Sequence, residues 1–189
     1  MNCHFKIEGK NVNLRTPILS DLDDYERWNN PNLKAWQYDG PWFKHDDLSA
    51  IILRRTKWLD GDHKPPYKFL EIETKEGIHI GWVNIYHRED DPHMTEIGIN
   101  VPEEKYWGKG FGTEALFLWI DYLFRERGLT RIGFSTWDGN KSMIAVGRKL
   151  GFTEEGRIRR GCEVKGEFYD RIKMGILRDE WENKRKHNA

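Results

Sequence analysis

Two cysteines among 189 residues, Cys3 and Cys162, are too few and too far apart in sequence for a disulfide framework, and neither stands in a paired motif of the kind that holds zinc. A reducing cytoplasm is the expected home. Long apolar runs are lacking as well. The longest uncharged one, Ala115 to Ile120, falls far short of the ~18 residues that span a bilayer, and the opening MNCHFKIEGK has no signal-peptide core. The expectation is a protein that is neither secreted nor bound to a membrane. Neither sign of charge is in surplus: 31 Lys+Arg balance 31 Asp+Glu, and the pI is near 7.1. That argues against a dedicated nucleic-acid binder, which needs basic residues to displace phosphate counterions. Internal repeats and low-complexity tracts are missing, and the length suits one domain. The expected organisation is a single domain over 1–180 and a short basic tail over 181–189, in which Lys184-Arg185-Lys186-His187 reads as a disordered end.

Aromatic residues are plentiful, with nine Trp, four of them (Trp28, Trp36, Trp42 and Trp58) before residue 60. Val12 to Arg15 reads as a short strand, and Ser20 with Asp21 and Asp23 reads as the capped, acidic start of a helix closed by Pro31. Leu48, Ile51, Ile52 and Leu59 keep helical spacing from Asp46 towards a stop at Gly61. Period-two runs over 67–74, 78–86 and 94–101 predict an antiparallel meander, its first turn at Lys75-Glu76-Gly77. A mostly apolar helix is expected over 113–127, then a strand over 131–137, a helix over 141–150 and strands over 153–162 and 167–176. Such an order predicts a mixed α/β or α+β class with a strand, a glycine turn and a buried helix at its centre.

That turn is Trp107-Gly108-Lys109-Gly110-Phe111-Gly112-Thr113. Glycines let backbone N–H groups converge without a Cβ in the way, and a helix start adds about half a positive charge, so the segment suits a phosphate. A tight turn that binds nothing also fits the glycines alone. A nucleoside-triphosphate loop is excluded, because Gly108-Lys109 is followed by Gly110 rather than Ser or Thr. Gly110-x-Gly112-x-x-Ala115 spells the dinucleotide fingerprint, with Asp138 about 23 residues on, but Pro102 to Trp107 separates it from its strand.

Tyr106 to Ala115 reads Tyr-Trp-Gly-Lys-Gly-x-Gly-Thr-Glu-Ala; Glu96-Ile97-Gly98 precedes it, and Asn140, Lys149-Leu150-Gly151-Phe152 and Tyr169-Asp170 follow. In these segments the sequence resembles the GNAT superfamily of acyl-CoA N-acyltransferases, in its ribosomal-protein N-alpha-acetyltransferase-like subgroup, with Trp107 where Arg or Gln is usual. The resemblance implies a GNAT fold, a central mostly antiparallel twisted sheet flanked by helices. It also implies an acetyl-CoA-dependent enzyme that acetylates a primary amine, on a protein N-terminus or a small molecule. The backbone of Ile99, Asn100 and Val101 would pair with the pantetheine arm. Trp107, Gly108, Lys109, Gly110, Phe111, Gly112 and Thr113 would hold the pyrophosphate. Asn140 would support the cofactor arm or an ordered water, or simply cap its helix. No metal is implied, and a homodimer is compatible with such folds.

An amine with a pKa near ~10 must lose a proton before it attacks the thioester. Glu96 is the expected base, with Glu71 and Glu73 weaker alternatives. The family's usual Tyr proton donor, five residues before the Gly-Phe aromatic, is Gly147 here. Ser142, water or another Tyr must then serve the departing thiolate, unless a thiol pKa near ~8.5 makes that step unnecessary. That departure also motivates an alternative, a non-catalytic acyl-CoA-binding domain. Cys162 has no His base beside it, and the cluster His87, Asp90, Asp91 and His93 reads as a solvated hairpin rather than a metal site. Trp36, Tyr38 and Trp42 are candidates for a wall that receives a cationic amine by stacking.

Overall fold

Alternation of Val, Ile and Leu along short segments builds the sheet described by a computed structural model that covers residues 5–42, 47–59, 64–88 and 91–188. The eight strands are β1 (Lys6–Glu8), β2 (Val12–Arg15), β3 (Phe69–Thr74), β4 (His79–Arg88), β5 (Asp91–Asn100), β6 (Arg131–Trp137), β7 (Thr153–Val164) and β8 (Glu167–Leu177). Their hydrogen-bonded order is β1-β2-β3-β4-β5-β6-β8-β7. The helices are α1 (Asp21–Trp28), α2 (Leu48–Leu59), α3 (Phe111–Arg127), α4 (Lys141–Leu150) and α5 (Arg178–Asn188). This is the expected mixed α/β class with a mostly antiparallel sheet. The expected Asp46 start and Gly61 stop of the second helix, the residue Cys3, and the side chains of His87, Asp90, Asp91 and His93 lie outside the described residues.

The chain forms two compact units. The first takes the described residues of Met1–Gln37, Lys44–Asn84 and Ile99–Trp119; the second takes those of Tyr38–Phe43, Ile85–Gly98 and Ile120–Ala189. In the first, β1 to β4 pair antiparallel and bury Val12, Leu14, Leu70, Ile72, Ile80 and Val83. Helix α1 buries Tyr25 and Trp28 against Phe69, and Leu33, Trp36, Ile51, Ile52, Trp58 and Trp82 pack around them. Ser20 makes no side-chain cap. The start of α1 is held instead by Asp21, whose carboxylate accepts from the Ile18 N–H at 2.8 Å and pairs bidentately with Arg15 at 2.7 Å.

In the second unit β5 runs parallel to β6, β6 antiparallel to β8, and β8 antiparallel to β7. Ile132, Phe134 and Thr136 of β6 and Ile172, Met174 and Ile176 of β8 are buried on one face. The alternate positions put Gly133, Ser135, Lys173 and Gly175 on the other, with Glu96 in register with Gly133. The basic tail over 181–189, in which Lys184-Arg185-Lys186-His187 reads as a disordered end, is helical through residue 188. Trp181 of α5 is buried, its indole donates to Asp121 at 3.3 Å, and Arg185 pairs with the same carboxylate at 2.9 Å. One large apolar side chain with a polar partner is enough to dock that end.

Candidate functional site

The glycine turn lies in the first unit. Gly108 (φ 70°) and Gly110 (φ 86°) take left-handed backbone that side chains rarely adopt, and a Cβ at either would meet nothing within 4 Å. Conformation, not crowding, selects glycine there. Helix α3 begins two residues earlier than its spacing predicts, and its first turn is closed by the Glu114 N–H donating to the Gly110 carbonyl at 3.0 Å. The amides of Phe111, Gly112 and Thr113 therefore precede the first helical donor and are unspent by the helix. Gly108, Lys109 and Gly110 are exposed. A pyrophosphate fits this arrangement: amides with no helical partner, a helix dipole and an exposed lysine.

Trp107 fills the position usually held by Arg or Gln, and its indole N–H donates to the Val101 carbonyl at 2.7 Å. It thus ties the turn to the chain leaving β5. The Asn100 carbonyl approaches Gly81 so closely that a Cβ there would collide with the oxygen. Glu103 accepts from the Trp28 indole at 3.1 Å and from Arg27 at 2.8 Å, and pairs with Lys105. Partial burial would raise this carboxyl, but those three donors hold it down at about 2. The Glu114 carboxylate accepts from the Asn11 N–H at 2.8 Å and its side-chain amide at 2.7 Å, so the motif's Glu organises the β1–β2 turn.

The second unit holds the other predicted residues. Glu96 on β5 accepts from the Ser135 hydroxyl at 2.8 Å. The side-chain oxygen of Asn140 caps α4 through the Met143 N–H at 3.0 Å, while its amide nitrogen donates to the Tyr38 carbonyl at 3.0 Å. The Trp137 indole donates to that carbonyl too, at 3.2 Å. Ser142 is exposed on the first turn of α4. Trp42 lies under the Arg171 guanidinium, 3.9 Å from its ring centroid. Tyr38 and Trp42 thus share one unit, whereas Trp36 belongs to the first, where its indole donates to the Asn30 carbonyl at 3.0 Å. At Gly147, in the family's Tyr position, a Cβ would stand 2.6 Å from the Phe134 ring and 3.2 Å from the Met174 sulfur. Helix α4 lies too close to the sheet for any side chain there.

Glu71 and Glu73, the weaker base candidates, are committed to ion networks. Glu73 pairs with Arg15 at 2.7 Å and Lys6 at 2.8 Å. Glu71 is fully buried, accepting from the Tyr25 hydroxyl at 2.9 and 3.0 Å and contacting His79 Nε2 at 3.0 Å. His79 Nδ1 meets Asp24 at 2.8 Å. Burial alone would lower this imidazole, but the charge of Glu71 and the hydrogen bonds to Asp24 and Glu71 push it up to about 9. No local spacing signals this network, because its members come from α1, β3 and β4. Asp21, Asp24 and His79 stand close enough for a metal, but Arg15 already occupies Asp21. Cys162 is a free thiol whose pKa is raised, chiefly by burial.

The glycine turn and the start of α3 suit the phosphates of an acyl-CoA. Residues 11–153 match the family described as Acetyltransferase (GNAT) domain. The Bacillus subtilis protein named "Putative ribosomal N-acetyltransferase YdaF" is 32% identical over 173 residues, covering 88% of this chain and 93% of its own. The ribosomal-protein-S5-alanine acetyltransferase of Vibrio fischeri shares the fold with a TM-score of 0.72 at 23% identity, over 94% of this chain and 98% of that one. The spermidine N-acetyltransferase of Vibrio cholerae, solved with CoA and spermine, does so with a TM-score of 0.70 at 22% identity, over 91% and 98%. The chain belongs to the GNAT acetyltransferase family, in its ribosomal-protein acetyltransferase-like subgroup, and is an acetyl-CoA-dependent N-acetyltransferase of amines. A non-catalytic acyl-CoA-binding domain is the reading this displaces. Among the described residues no helix is long and apolar enough to cross a membrane.

Proposed function

We propose that the protein acetylates a primary amine, on a protein N-terminus or a small molecule, by direct attack in a ternary complex, with one catalytic domain over residues 1–180. The observation that carries this is the glycine turn, whose exposed left-handed glycines lead into helical amides with no helical partner. The amides of Gly108 to Thr113 hold the pyrophosphate, with Lys109 adding charge, and the backbone of Ile99 to Val101 meets the pantetheine arm. Trp107 keeps the turn in place. Acetyl-CoA supplies the thioester: the amine nitrogen forms a bond to the acetyl carbon as the bond from that carbon to sulfur breaks.

Glu96 takes the amine proton, directly or through one water. Ser142 or solvent protonates the departing thiolate, and a thiol pKa near ~8.5 makes that step undemanding. Asn140 supports the cofactor side through the carbonyl of Tyr38. Tyr38 and Trp42, which share a unit, receive the acceptor cation; Trp36, the third candidate, lies in the other unit. No metal takes part, and the protein works in the cytoplasm, as a monomer or homodimer, away from membranes and nucleic acid.

Free thiol released from acetyl-CoA in the presence of N-terminal peptides, polyamines and aminoglycosides tests this reading. Release with one of these classes, cut by about 100-fold or more in Glu96→Gln, is the expected result. Full turnover by Glu96→Gln would remove Glu96 from the reaction.

A further inference from the structure

Serine is a poor choice for the middle of a strand unless its hydroxyl has a task. Ser135 sits between the buried Phe134 and Thr136, so its side chain leaves β6 on the face opposite the α4 packing. Glu96 emerges on that same face, because it pairs in register with Gly133, two residues before Ser135. The neighbouring glycine positions on that face are covered by other side chains: a Cβ at Gly133 would lie 2.9 Å from the Arg131 guanidinium, and the Glu155 carboxylate, paired with Arg131, stands over Gly175. Gly133 lies across from Gly175, and Lys173 stands directly across from Ser135. A glutamate there without a hydrogen-bond partner of its own would sample several rotamers, each with its carboxylate aimed differently.

The Ser135 hydroxyl removes that freedom by donating its single proton to Glu96 Oε1 at 2.8 Å. Among the described residues this is the hydrogen bond that Glu96 makes. We infer that Ser135 is a positioning residue for the acetyl transfer, fixing one oxygen of Glu96 so that the other is presented to the incoming ammonium group. The inference rests on Glu96 as the proton acceptor. A hydroxyl suits this task better than an amide or a cation. It holds the carboxylate in one rotamer without neutralising it, and leaves Oε2 its full capacity to accept. Each turnover then needs no search by the base, only transfer of one proton from amine nitrogen to Oε2.

Kinetics of Ser135→Ala, Ser135→Thr, Glu96→Gln and the Ser135→Ala/Glu96→Gln double variant test it. Ser135→Ala should lower kcat about tenfold and leave the KM for acetyl-CoA within about twofold, and Ser135→Thr, which keeps the hydroxyl, should recover most of the rate. In the Glu96→Gln background the alanine substitution should cost nothing further, since the group it positions is gone. Wild-type kcat in Ser135→Ala, or a loss that multiplies with that of a slow Glu96→Gln, would overturn the positioning role and leave Glu96 standing. Full activity in Glu96→Gln is the separate outcome that removes the base, and Ser135's role through it as well.

Discussion

The indole N–H of Trp107 is bonded to the Val101 carbonyl at 2.7 Å, joining the first residue of the glycine turn to the end of the strand that precedes it. At this position a side chain with charge would reach for phosphate, whereas tryptophan works on the backbone. Affinity for the coenzyme then depends on a loop held ready rather than on an added cation.

Trp107→Phe keeps the ring and removes the donor. A neutral hydrogen bond contributes about 1 kcal/mol, so the dissociation constant for CoA, measured by calorimetry, should rise about fivefold with little change in thermal stability. Unchanged affinity would show that the tether does not shape the loop.

Gly147→Ala should destabilise the protein. Its new Cβ would lie 2.6 Å from the Phe134 ring, and overpacking of this kind costs about 1 to 3 kcal/mol, seen as a fall in Tm of several degrees. Gly147→Tyr, which restores the family's residue, should fold less well still and should not raise kcat.

His79 makes stability depend on pH. Its imidazole is raised from the ordinary 6.5 to about 9 in the folded protein, facing Asp21, Asp24 and Glu71, with Arg15 and Arg55 beyond them. The protonated form therefore stabilises fully below pH 6.5, and this contribution is lost as pH climbs through 9. The amount is of order 3 kcal/mol. Urea midpoints should fall across that window, and His79→Gln should flatten the fall while lowering stability at pH 6.

Acceptor recognition can be tested at Trp42. Its ring already stacks with one cation, the Arg171 guanidinium 3.9 Å from its centroid. Trp42→Leu should raise the acceptor KM by about three- to tenfold and leave that for acetyl-CoA unchanged, in line with a cation–π contact of about 0.5 to 2 kcal/mol. An acceptor KM unchanged from wild type in both Trp42→Leu and Trp36→Leu would remove the aromatic wall.

Much of the fold was legible because its signals are local. Period-two runs gave β3, β4 and β5 within a few residues, and Asn140 and Gly151 bracket α4 as its cap and its left-handed stop. What misled the sequence reading was equally local. Ser20 looks like a side-chain cap, yet it makes no such bond, and the neighbouring Asp21 is held by Arg15 and the Ile18 N–H instead. Lys184-Arg185-Lys186-His187 looks like a loose end, yet α5 is anchored by Trp181 and Arg185 on Asp121, about 60 residues away.

By itself the sequence determined the class of chemistry. Left-handed glycines before a helix are a backbone requirement, and such requirements appear directly as residue types at fixed spacing. Tertiary structure alone decided which polar groups meet: Ser135 with Glu96, Trp107 with Val101, and Glu71 with Tyr25 and His79. It also decided that Gly147 has no room for a proton donor. These outcomes depend on which strand faces and helix sides come into register from distant parts of the chain, and hydrogen bonds and close packing are settled within tenths of an ångström once they do.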